Sequence, residues 1–527
     1  MVESLKDRHL SLGTTLKGVE QQKWDSLKSK LNLWDVGTEG EFTWQNYSKG
    51  ANTRKARLDS CYIDLAVINS FARVKAKPRF TSCLSDHYPL SISLDDEGSK
   101  VRNQWFHTDP ALFMLPVVQE TLSIIWMESF RAHRSPARAW SQALRSTQRY
   151  LIHTRKEVAN IKRQRRDNIY KDLSALESGP QGKITQEAIT ILRGKLKEEE
   201  DIRLKHSTAF FKHWWAGKVN RPSKEMFRSI KKKNAKERVP LFKTNPPISS
   251  ENQNLDYARE HFSKLFSPKE QLSMEVANAR IEVLSCRTRV LSEHEANTAD
   301  APLSISEIYA AIKSMKPNKT PGLDGLPAEF FATFKELLAP FLLKVWEESL
   351  IHQALPCTIN AGVIKLIHKK GAKDEITNWR PLTMLNTAYK VYAKAIANRI
   401  TTLLMKWISK EQKGFIKGRK LVEALILLWK GFENASESGQ DFVFVKIHFD
   451  KAYDRLEWSF ILACLEAMGF GPMLILFIRT LFGNARARIA INDSLSSAFD
   501  LSKSVRQGCP LAPLLFAVAA DRLNCLV

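Results

Sequence analysis

The chain has 527 residues, 44% of them hydrophobic, with 80 lysines and arginines against 56 acidic residues and a net charge of +24. That length fits roughly two to four domains, the apolar fraction excludes wholesale disorder, and the basic surplus predicts a polyanionic partner whose binding weakens steeply with salt. No run reaches the ~18 uncharged apolar residues of a membrane helix, the N-terminus MVESLKDRHL lacks an apolar signal core, and the seven scattered cysteines form no C-x-x-C pair or Cys/His cluster at zinc spacing, which argues against a zinc site or disulfide framework and suits reduced thiols.

Along the chain three regions are expected. Residues 1 to about 98 mix short strand-like runs with turns, such as the run from Cys61 to Ile68, and end at an acidic, glycine-containing boundary, Leu94-Asp95-Asp96-Glu97-Gly98. Residues 99 to 300 read as a basic, mostly helical linker. Its clusters are Lys162, Arg163, Arg165 and Arg166, then Lys231, Lys232 and Lys233. Between them Lys212, Trp214, Trp215 and Lys218 interleave charge with aromatic rings. That pattern fits phosphate contact with base stacking, or equally a small helical core whose lysines face solvent.

Residues 301 to 527 change character. Ser304-x-x-Glu307 predicts a capping box, with Ile308, Ile312 and Met315 on one helical face. A Pro/Gly loop follows from Lys316 to Gly325, and helical and strand-like runs then alternate as in a compact α+β domain. A strand is expected from Phe442 to His448, and an apolar helix from Leu511 to Ala520.

Seven segments of this last region carry a resemblance. They are Asn318 to Pro327, Ile364 to Gly371, Asn378-Trp379-Arg380-Pro381-Leu382, Ala397-Asn398-Arg399-Ile400, Gln412 to Arg419, the run around Asp450, and Val505 to Phe516. In this order and spacing they resemble the reverse transcriptase domain of LINE-type (non-LTR) retrotransposons, especially the plant-like branch. The resemblance implies the fingers and part of the palm of a right-hand fold. It also implies an RNA template, a DNA primer or nicked DNA target, deoxynucleoside triphosphates and Mg²⁺. Lys369 (or Lys370) and Arg380 would bind the triphosphate, where charge builds on the leaving pyrophosphate; a guanidinium grips phosphate bidentately. Gln507 and Gly508 would lie under the nascent base pair. No protein partner is implied, and the setting would be a nuclear or cytoplasmic ribonucleoprotein.

The same resemblance places the family's first metal-binding aspartate at the position of His448, and its second pair of aspartates beyond Val527. Neutral imidazole is a poor ligand for a hard cation. Asp450, two residues on, shares a strand face with His448 and is the weak substitute; Asp454 matches an acidic position of structural use. No intact metal site is therefore expected, and no polymerase activity. His368, Asp493, Ser504 and Ala512 also depart from the family's usual proline, glycine, glycine and serine.

Near the N-terminus, Glu41 to Asn46, Arg57-Leu58-Asp59 and Ser85 to Leu90 resemble the end of an apurinic-type endonuclease. This implies an incomplete exonuclease–endonuclease–phosphatase sandwich in which His87 would act at the scissile phosphate and Asp86 support it. The alternatives are a nucleic-acid-binding module without catalysis, or an unstable pseudogene fragment exposing apolar surface such as Leu511 to Phe516.

Overall fold

The computed structural model describes residues 18–36, 43–45, 55–69, 73–78, 90–95, 108–178, 182–208, 238–267, 273–286, 290–439, 441, 443, 445, 447–492 and 494–524. Two compact units emerge, residues 1–102 with 156–236, and residues 103–155 with 237–527. They cut the chain differently from the three segments read off the sequence, because parts of the helical stretch pack with the region that follows it.

In the first unit the strands form three antiparallel pairs: β1 (Leu33–Asp35) with β4 (Tyr62–Asp64), β2 (Trp44–Gln45) with β3 (Lys55–Ala56), and β5 (Arg73–Pro78) with β6 (Leu90–Asp95). Thr43 Oγ1 accepts from the backbone N–H groups of Leu58 and Asp59 at 2.9 and 2.8 Å. Arg57 forms an ion pair with Asp35. The strand expected from Cys61 to Ile68 is cut short. Asp64 Oδ1 accepts from Ala66 N at 2.7 Å, satisfying a first-turn donor and turning the chain into the helix Leu65–Asn69. Ile169 and Leu173 of the helix Pro136–Ser178 meet Ile189 and Leu196 of the helix Lys183–Thr208 in a small core.

The second unit holds a mixed sheet in the order β10-β9-β7-β8, where β7 is Ala361–His368, β8 Trp379–Leu385, β9 Arg486–Ile491 and β10 Ser494–Leu495; β11 (Phe499–Asp500) also pairs with β9. β7 runs antiparallel to β8 and parallel to β9. One sheet face presents Ile364, Leu366, Trp379, Ala487, Ile489 and Ile491, packed under the helix Glu251–Phe266 through Phe262 and Phe266. Period-two alternation puts the exposed Lys365, Ile367, Arg380, Arg486 and Arg488 on the other face, where Val363 is buried and Leu382 and Met384 are half-buried.

Beside the sheet lies a helical layer. Trp126, Trp140, Phe330 and Phe331 are fully buried there, and the Trp126 indole donates to Thr147 at 3.0 Å. The capping box forms as expected: Ser304 and Glu307 close it, and Ile308 and Ile312 are buried. Glu348 caps the start of the helix Pro136–Ser178, accepting from the Ser135 hydroxyl (2.5 Å) and Ala137 N (2.6 Å).

Two expectations fail here. The helix Ala512–Leu523 buries Leu514, Leu515, Ala517 and Val518, and Leu511 is buried at its N-cap. The predicted exposed apolar surface is therefore not on this segment, which packs on the helices Trp458–Ala467 and Thr387–Trp407. Exposed apolar side chains sit instead on the helix Leu421–Ser438, which buries none of its residues, and at Val443, Val445, Ile447 and Phe449. Correspondingly, the described residues between 441 and 449 form no strand: with those alternate side chains in solvent, apolar packing does not stabilise the expected ladder.

Candidate nucleotide and nucleic-acid site

The loop joining β7 to β8 carries Lys369 and Lys370 exposed at its tip. Its shape is fixed from within. Lys369 N donates to Asn378 O at 3.0 Å, Asn378 Nδ2 to Ala372 O at 3.0 Å, and Trp379 Nε1 to Lys373 O at 2.8 Å. Gly371, at φ +82°, makes the turn that Asn378 closes. His368, at the usual proline position, stacks edge-on against Trp379 and reaches Gly371 O. Arg380 projects from β8 on the open face, opposite Ile367.

Gln507 and Gly508 sit on the free edge of β8. Thr383 N donates to Gln507 O at 2.9 Å. Gly508 has φ +114°, and a Cβ there would overlap the Thr383 carbonyl oxygen, so only glycine allows the loop to lie on the strand. Behind the loop Arg506 is buried. Its guanidinium donates to Asn360 O (2.9 Å), Asn360 Oδ1 (2.6 Å) and Leu481 O (3.1 Å), and stacks 4.3 Å from the centre of the Tyr389 ring. Burial raises the Tyr389 hydroxyl pKa far above its ordinary value. The segment Val505 to Phe516 that carries the resemblance includes Arg506, and the resemblance implies no role for it. Its neighbours Ser504, Val505, Gln507 and Gly508 carry no local signal of burial, and the acceptors that a buried guanidinium needs lie far away in sequence at Asn360 and Leu481.

The segment around Asp450 meets the same loop. Val505 N donates to Tyr453 O at 3.0 Å, and Ser504 N to Leu456 O at 2.8 Å. Tyr453 stacks on Phe516 at 4.9 Å, with Phe415 edge-on to both. Asp454 is buried, and burial pushes its pKa up to about 7; Asp450 acts in the same direction, while Lys451 and Arg380 oppose it. Arg380, the 450s and the 505–508 loop are thus one neighbourhood. His261, from the helix Glu251–Phe266, joins it: burial, with Lys451 and Lys264, lowers its pKa to about 4, so its ring is neutral at physiological pH.

His448 and Asp450 are both exposed, and Asp450 is held by Arg455 at 2.8 Å. An imidazole beside a carboxylate already neutralised by a guanidinium does not fit Mg²⁺, which requires hard, free oxygen donors. Asp324, buried in the loop before Pro327, has its pKa pushed up to about 7 by burial. It ties that loop down, accepting from Leu326 N at 3.1 Å while its own N–H donates to Asn386 at 3.2 Å. Of the remaining predicted residues, Lys162, Arg163, Arg165 and Arg166 lie on the helix Pro136–Ser178, Arg166 half-buried and the others exposed. Asp86, His87, Lys212, Trp214, Trp215, Lys218, Lys231, Lys232, Lys233 and Asp493 lie outside the described residues.

Residues 367–527 match the family model described as reverse transcriptase (RNA-dependent DNA polymerase). A Xenopus laevis protein, "Transposon TX1 uncharacterized 149 kDa protein", is 32% identical over 59% of this chain and 23% of its own length. The "Retrovirus-related Pol polyprotein from type-1 retrotransposable element R2" of Popillia japonica is 26% identical over 42% of the chain and 30% of its own length. The "RNA-directed DNA polymerase from mobile element jockey" of Drosophila melanogaster is 24% identical over 42% of the chain and 24% of its own length. The chain thus spans 23–30% of the length of these relatives. Among the described residues no helix is long and apolar enough to cross a membrane. Residues 367–527 match a reverse transcriptase domain, and the chain is similar to proteins of non-LTR retrotransposons over 42–59% of its length.

Proposed function

We propose that this chain retains the nucleotide- and nucleic-acid-binding part of an RNA-directed DNA polymerase and lacks its catalysis. The observation that carries the reading is at one position: His448 stands where the family takes its first metal carboxylate, and its neighbour Asp450 is committed to Arg455. In the family, Mg²⁺ steadies the attacking and leaving oxygens of nucleotidyl transfer. What this chain's own residues do is bind. Arg380 and Lys369 would take phosphate oxygens, and the Gln507–Gly508 loop, held on the edge of β8, would support a base pair. RNA template, DNA primer or target, and deoxynucleoside triphosphates are the partners of that reading. Residues 1–98 are proposed to derive from the C-terminal part of the endonuclease, with Asp86 and His87 in its former site.

The test is primer extension on an RNA template with Mg²⁺ or Mn²⁺, run beside a binding titration with the same hybrid. The expected result is salt-sensitive binding and no incorporation. Incorporation that disappears in Asp450→Ala would overturn it.

A further inference from the structure

The open face of the sheet carries a second feature. Ladder register places Arg380 of β8 opposite Ile367 of β7, and Arg488 of β9 opposite Val363 of β7. Lys365 lies between these two levels on β7 itself. Arg380, Lys365 and Arg488 therefore form a diagonal row, each step crossing one strand and moving two residues along. Strand spacing of ~4.8 Å and ~6.7 Å per two residues put adjacent members roughly 8 Å apart at the backbone. All three are exposed, and among the described residues none has an ion-pair partner. The row ends at Arg486, the next residue on that face of β9, which Asp500 neutralises at 2.7 Å.

From this geometry we infer that Lys365 and Arg488 extend the Arg380 phosphate site into a track for the phosphodiester backbone of a nucleic acid strand. Three cations at a regular pitch of roughly 8 Å cover more length than the phosphates of a single nucleotide. They match a polymer of evenly spaced phosphates. Among the described residues of these strands no exposed aromatic ring interleaves with them, so contact is to the backbone and carries little base preference. The inference rests on the nucleic-acid reading proposed above.

The experiment measures binding of a fluorescein-labelled single-stranded RNA to the full chain by anisotropy across a salt series. Lys365→Gln/Arg488→Gln is compared with Lys313→Gln/Lys344→Gln, which removes the same charge from exposed helix positions elsewhere in the unit. Two lost contacts at about 0.7 counterion each lower the salt slope by about 1.4 and weaken binding about 25-fold at 0.1 M salt. The control pair is expected to move neither by more than about a quarter of that. Lys365→Arg/Arg488→Lys keeps both charges and should retain affinity and slope, which separates the charge from any effect on folding. A labelled deoxynucleoside triphosphate should bind the Lys365/Arg488 variant as it binds the unmodified chain. Equal losses in the two neutralised pairs, or loss of triphosphate binding with RNA binding intact, would overturn the track. If the unmodified chain binds no RNA, the nucleic-acid reading falls and the track with it; if it binds and the variant is unchanged, only the track falls.

Discussion

Gly508→Ala tests how the 505–508 loop is held. The residue sits at φ +114°, outside the left-handed well that other residues visit, and a Cβ would come closer than 3.0 Å to a backbone oxygen, a separation Cβ atoms essentially never show. Backbone strain there costs about 1–3 kcal/mol. Relief requires lifting the loop from β8, which loses the Thr383 N to Gln507 O hydrogen bond, worth about 0.5–1.5 kcal/mol net. The sum is about 1.5–4.5 kcal/mol of stability, and it falls on the loop proposed to lie beneath the base pair. Gly439→Ala is the matched control. It too has positive φ, +64°, yet nothing lies within 4 Å of its Cβ position, so it should cost only about 1 kcal/mol. Urea unfolding of both variants, followed by tryptophan fluorescence, measures the difference. Equal destabilisation would refute the claim that the Thr383 carbonyl, rather than backbone strain alone, excludes a side chain at position 508.

Two further outcomes follow from the same unit. Asp454 has its folded pKa raised to about 7 from 3.8. The unfolded chain therefore binds fewer protons between those values, and this group's contribution to stability falls as pH rises from about 4 to 7. Asp454→Asn should remove that fall and add about 2–4 kcal/mol at pH 8, read as a flatter profile of unfolding free energy against pH; an unchanged profile would refute the assignment. Glu348→Ala removes the acceptor for Ser135 and Ala137 N and should cost about 1–2 kcal/mol in urea unfolding, whereas a cost under about 0.3 kcal/mol would show that water replaces the cap.

What the sequence determined by itself was local or ordered along the chain. The capping box at Ser304 and Glu307 depends on residues three apart, and the helix Ala512–Leu523 on a short apolar run. The polymerase family was legible because seven short segments keep their order. His448, the substitution on which the loss of catalysis is proposed, is likewise read without coordinates. Tertiary structure decided what depends on partners far apart in sequence. The run at 442–448 has strand-like composition, yet a strand forms only where another completes its ladder and covers its side chains. Asp64 redirected a second apparent strand through one side-chain hydrogen bond. Arg506 found its acceptors at Asn360 and Leu481, a pairing no local pattern announces. The diagonal of Arg380, Lys365 and Arg488 exists only through the register of three strands, since a one-residue slip would turn each strand's side chains to the opposite face.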